Sequence, residues 1–101
     1  MCMNGDFDVL IIGGGAAGVS AALSCSNRGK SVAVISNSIK TTSLYRAEQI
    51  RNYPGISGKS GKEITEIFMQ QLEKSGVPII SGKAMSVVPF EKKFGVAVEN
   101  D

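Results

Sequence analysis

Three glycines, Gly13, Gly15 and Gly18, come directly after the apolar run Asp8-Val9-Leu10-Ile11-Ile12 and open a stretch of small residues. No other feature of the 101 residues narrows the fold as far. A short, mostly β-branched run without alternation reads as a central strand buried on both faces. Each glycine then has a distinct task. Gly13 permits the tight turn out of the strand, Gly15 leaves room for a phosphate to approach the backbone, and Gly18 lets the following helix pack closely on the strand. The free N–H groups in the first turn of that helix point at such a phosphate, and the helix dipole favours its charge. The alternative is a glycine-rich turn that holds no ligand; the pattern around the motif favours the phosphate reading.

That pattern is a βαβ unit. Residues 16–28 form the helix, with Ala17, Ala21, Ala22 and Cys25 along one face and Gly29 as a left-handed cap. Val32-Ala33-Val34-Ile35 is a second buried strand, parallel to the first. Residues 36–58 are long and irregular, the kind of loop that is functional or disordered in a compact domain. Ser60-Gly61-Lys62-Glu63 has capping-box spacing, and Ile64, Ile67, Phe68 and Leu72 follow as the apolar face of a helix that ends at Gly76. Residues 77–81 read as a third strand, and residues 84–90 and 94–98 as a hairpin turned at Glu91-Lys92-Lys93. The expected fold is α/β and Rossmann-like: a parallel sheet with helices plus a small β-hairpin or meander.

Composition removes several function classes. Eleven basic and nine acidic residues leave a net charge of +2, too even for a nucleic-acid binder. The chain has no histidine, so it holds no Ser-His-Asp or Cys-His dyad and no His-ligated metal site. Residues 9–27 carry no charge, yet four glycines and a polar second half argue against a membrane span, and no basic residue precedes them as a signal peptide requires. Cys2 and Cys25 make neither a CxxC pair nor a disulfide framework, which fits a reducing, cytoplasmic setting. Cys25 reads as a core thiol on the first helix, and Cys2 lies near a frayed terminus.

A dinucleotide fingerprint also asks for an acid near the end of the second strand, where it binds a ribose hydroxyl. Here that place holds Ser36-Asn37. Either residue could offer a weaker neutral hydrogen bond, or both belong simply to the loop.

Three segments in order carry a resemblance: the run from Val9 through Gly13-Gly14-Gly15-Ala16-Ala17-Gly18, then Val34-Ile35-Ser36, then Ile50-Arg51-Asn52-Tyr53-Pro54-Gly55. Together they resemble the N-terminal FAD-binding part of thioredoxin reductase-like, FAD-dependent pyridine nucleotide-disulfide oxidoreductases. The family often lacks the acid at the Ser36 position. The resemblance implies that Asn52 reaches the flavin and that the loop around residues 40–47, with Ser43 and Leu44, wraps the pyrophosphate and isoalloxazine. Ser43-Leu44-Tyr45-Arg46-Ala47 differs from the Gly-Gly-Gln usual in NADPH-dependent members and looks more like clostridial-type relatives.

The resemblance sets the remaining expectations. Residues 1–101 are a partial FAD-binding domain from the first part of a larger enzyme, since a second glycine fingerprint, an NADPH domain and a redox CxxC are absent. Its cofactor-binding residues are Gly13, Gly14, Gly15, Ala16, Ala17, Gly18, Ser36, Asn37, Ser43, Leu44 and Asn52, with no catalytic residue and no metal ligand. The parent enzyme passes electrons from NADPH or another donor through FAD to a disulfide such as that of thioredoxin, as a cytoplasmic homodimer. A non-catalytic nucleotide-binding module and an NAD(P)-binding subunit are the competing readings.

Overall fold

The computed structural model describes residues 6–37, 46, 55 and 58–99. Their order is β1 (Val9–Ile12), α1 (Ala16–Asn27), β2 (Val32–Ser36), α2 (Gly61–Lys74), β3 (Ile79–Ser81), β4 (Lys83–Phe90) and β5 (Lys93–Glu99). The first three strands form a parallel sheet in the order β1-β2-β3, with Val9 beside Val32 and Val34 beside Ile79. β4 and β5 form a separate antiparallel hairpin.

β2 organises the molecule because both of its faces are covered. All five of its residues are buried. Val32 and Val34 face one cluster with Val19 and Ala22 of α1 and Ile64, Phe68 and Leu72 of α2. Ala33 and Ile35, one residue out of phase, face a second cluster with Ile80, against which Ala84, Val96 and Val98 of the hairpin pack. The two-residue period of a strand therefore sends alternate side chains into the helix layer and the hairpin layer. Cys25 is half-buried against the first cluster, as a core thiol should be.

Among the described strands the central one is β2 rather than β1. Among the described residues β1 is an edge: it pairs only with β2, three of its residues are half-buried and Ile12 is exposed. An apolar run without alternation marks a strand whose faces can be covered, but it does not say whether a neighbour lies on each side. Ile67 departs from expectation in a similar way. It shares a helical stripe with Ile64, Phe68 and Leu72, yet sits at the edge of that stripe and is exposed while the other three are buried.

The helix ends follow local chemistry. Ser60 Oγ accepts the Glu63 backbone N–H, and a Glu63 carboxylate oxygen accepts the Ser60 N–H, closing the capping box. α1 ends at Arg28, and Gly29 takes the left-handed conformation that returns the chain to β2. At the other end of that βαβ unit, Asp8 accepts the Ser31 N–H while Ser31 Oγ accepts the Asp8 N–H, so the starts of β1 and β2 are clasped together. Among the described residues no helix is long and apolar enough to cross a membrane.

Candidate functional site

The glycine loop leaves the carboxyl end of β1 and enters α1, beside the carboxyl end of β2. The Gly13 N–H donates to the Ile35 carbonyl at 2.8 Å, continuing the sheet by one rung. The chain then turns sharply: Gly13 has φ of +117°, a conformation that side-chain-bearing residues rarely adopt.

Its neighbours are glycine for different physical reasons. A Cβ on Gly14 would lie 2.7 Å from Ser36 Oγ, so the loop can rest on the end of β2 only if position 14 is bare. A Cβ on Gly18 would run into the Gly13 carbonyl oxygen and press on Ile11 at 3.3 Å. Gly18 is thus the point where α1 meets the loop and strand beneath it, a closer contact than helix-on-strand packing alone suggests.

Gly15 differs from all three. It is the N-cap of α1, with φ of −78° and ψ of −172°, an extended conformation open to any residue. A Cβ there would meet nothing within 4 Å. Neither backbone strain nor packing against any described residue calls for glycine at this position. A bare Cα pointing into open space at a helix N-terminus is what close approach by an outside group requires.

The first turn of α1 is correspondingly uncommitted. Its cap provides no side-chain hydrogen bond and the turn contains no acidic residue. The Val19 N–H reaches back to the Gly15 carbonyl at 3.0 Å, whereas the amides of the first helical residues are those that a helix leaves without intrahelical acceptors. Ala17 is exposed and Ala16 half-buried, so the side chains of this turn are short and apolar. α2 provides the contrast, since Ser60 and Glu63 occupy its N-terminus from within the chain. The cradle at residues 13–18 therefore fits a phosphate-bearing group: N–H donors, a favourable dipole and no competing carboxylate.

Ser36 and Asn37 lie on the neighbouring side of this cradle. Ser36 is buried and its Oγ donates to the Asn37 carbonyl at 2.9 Å; Asn37 is exposed. The structure thus brings Gly13, Gly14, Gly15, Ala16, Ala17, Gly18, Ser36 and Asn37 together at one end of the sheet. Ser43, Leu44 and Asn52 lie outside the described residues. The close fit of Gly14 over Ser36 carried no sequence signal, because the two positions are 22 apart and neither belongs to a recognisable spacing rule.

Comparison with known proteins agrees with this geometry. The family described as "FAD binding domain" matches residues 8–49. Thioredoxin reductase from Aquifex aeolicus is 33% identical over 81 residues, which are 79% of this chain and 25% of that protein. The crystal structure of thioredoxin reductase from Streptococcus pyogenes superposes with a TM-score of 0.86 at 34% identity, over 94% of this chain and 31% of that one. A ferredoxin-flavin thioredoxin reductase from Clostridium acetobutylicum gives 0.81 at 32% identity, over 94% and 33%. The chain spans about a quarter of the length of the curated relatives it matches. Sequence and fold point the same way: the chain is similar to the N-terminal FAD-binding part of thioredoxin reductases.

Proposed function

We propose that the chain holds the pyrophosphate and adenosine side of FAD in a thioredoxin reductase-like flavoprotein oxidoreductase. The observation that carries this reading is Gly15, a glycine that no described residue requires, at the N-terminus of α1, where no side chain caps the helix. In this role the amides of Ala16, Ala17 and Gly18 face the phosphates, and Gly13 and Gly14 shape the loop. Ser36 and Asn37 lie on the ribose side. Ser43, Leu44 and Asn52 complete the site from the loop that follows, Asn52 toward the flavin ring.

FAD supplies the electron transfer when bound; this chain binds, orients and partly shields it. The donor in the whole enzyme is NADPH or ferredoxin, the latter being the protein after which the clostridial relative is named. The acceptor is a disulfide such as that of thioredoxin, and the setting is a cytoplasmic homodimer. The test is to purify the chain in the presence of FAD and measure retained flavin by its visible absorption. Bound flavin that is lost in Gly15→Val supports the reading. Retention of NADP but no flavin would favour a nicotinamide-binding subunit, and retention of neither would leave a glycine turn without a ligand.

A further inference from the structure

Gly82 is the single residue between β3, which ends at Ser81, and β4, which begins at Lys83, so it joins the parallel sheet to the hairpin. It is buried, with φ of +151°, a conformation that side-chain-bearing residues rarely adopt. A Cβ there would lie 2.6 Å from a Val98 methyl carbon and 2.7 Å from the Glu99 carbonyl oxygen, so the end of β5 leaves no room for one. The methyl could turn aside; the carbonyl belongs to the backbone and could not. The Gly82 N–H donates to the Ser36 carbonyl at 3.0 Å. Ser36 in turn lies against Gly14, close enough to exclude a Cβ, and the carbonyl just before it, that of Ile35, holds the Gly13 N–H. One line of contacts thus runs from β5 through Gly82 and the last residue of β2 to the glycine loop.

We infer that Gly82 is a positioning residue of the phosphate cradle: it lets the hairpin seat against the sheet and, through its N–H, fixes the end of β2 on which Gly13 and Gly14 rest. The inference rests on the reading of residues 13–18 as that cradle and adds to it a residue from outside the glycine fingerprint. A side chain at position 82 must displace either the end of β5 or the Ser36 carbonyl. Because Ser36 is packed against Gly14, movement of that carbonyl passes to the loop. Coupling is reciprocal, so a phosphate that holds the loop down also holds the Gly82 N–H on Ser36.

The probe is inorganic pyrophosphate, titrated into the full chain and followed by NMR. In the unaltered chain bound pyrophosphate should slow hydrogen exchange at the Gly82 amide by at least about fivefold more than at the Val34 amide, which donates to the Pro78 carbonyl. Gly82→Ala should weaken pyrophosphate binding by at least about fivefold under conditions where the chain stays folded. Val98→Ala, which trims the packing of the hairpin on the sheet but leaves position 82 bare, should keep the affinity within about twofold of the parent. Exchange at Gly82 that only follows Val34 while pyrophosphate binds overturns the inference and leaves the cradle reading standing, and this measurement needs no variant to fold. Affinity unchanged in Gly82→Ala, or lost equally in Val98→Ala, overturns it too. An unaltered chain that binds no pyrophosphate defeats the cradle reading, and the inference with it.

Discussion

At Gly15 and Gly18 the same substitution class should do opposite things. Gly15 meets no described residue, so Gly15→Val adds a branched side chain without touching any of them. The unfolding free energy from urea titration is expected to fall by no more than about 1 kcal/mol, the cost of a β-branched residue at a helix N-cap, while flavin binding collapses. Gly18→Ala pushes a methyl into the Gly13 carbonyl and the Ile11 side chain. Overpacking of that kind costs about 1–3 kcal/mol, so this variant should lose stability first and ligand as a consequence. Denaturation curves and flavin absorption, measured on both variants, separate the two roles. Equal loss of stability in both would mean that Gly15 is a packing glycine after all. The order Gly13, Gly15, Gly18 was legible from spacing alone, because each role is local. The Gly14–Ser36 contact was not, since it arises only when β1 and β2 pair and bring two remote positions together.

Among the elements, α2 shows how far a hydrophobic stripe can be trusted. Ile64 and Ile67 belong to one periodic set, but Ile64 is fully buried between α1 and β2 whereas Ile67 is 36% exposed. Ile64→Ala should cost about 2–5 kcal/mol through lost burial and a residual cavity. Ile67→Ala should cost under about 1 kcal/mol, and chemical denaturation of the two variants checks the contrast. Periodicity locates the middle of a buried face; its margins depend on where the neighbouring helix and strand end. The same limit explains β1, whose Val-Leu-Ile-Ile run told of apolar faces but not of its place at the edge of the described sheet. The helix start, by contrast, was fully written in Ser60 and Glu63, because a capping box needs no tertiary partner. The backbone N–H of Ser60 and then its hydroxyl lower the Glu63 carboxyl below its ordinary value, as the Ser31 backbone and hydroxyl do for Asp8. A carboxyl whose folded value is depressed stabilises the fold above its unfolded value, and that contribution is lost as pH falls through the folded one. Stability should therefore hold above the usual carboxylate range and decline within and below it. In Glu63→Gln and Asp8→Asn the decline should be shallower, as thermal melts between about pH 2 and 6 would record.

Among the described residues, the sheet has one covered side and one more open side, and that asymmetry bears on activity. The helix face of the sheet is closed over Val32 and Val34. On the hairpin side, a groove of about 620 Å³ separates the start and edge of β1 from the hairpin, lined by Phe7, Leu10 and Ile12 on one flank and Val87, Phe94 and Val96 on the other. Ile12, Val87 and Phe94 are all more than half exposed there, and Val88 and Phe90 are similarly exposed on the hairpin. A strand edge beside apolar surface is a template for further polypeptide, so the isolated chain should self-associate at micromolar concentration. Sedimentation velocity should show concentration-dependent growth, and Ile12→Lys with Phe94→Lys should suppress it without lowering the melting temperature, because neither side chain is part of the buried core. Monomeric behaviour of the parent across that range would mean that the open side is tolerated. Self-association does not supply what turnover needs. The chain has one GxGxxG fingerprint to serve one dinucleotide, and its two cysteines, Cys2 and Cys25, are not spaced as a redox pair. Disulfide reduction by the chain, assayed with excess FAD and each of NADPH, NADH and reduced ferredoxin, should stay at the rate of free flavin. Turnover well above that rate with any one donor would show that a quarter of the family's length contains a complete electron path, and would require a second nucleotide site and an acceptor contact within these residues.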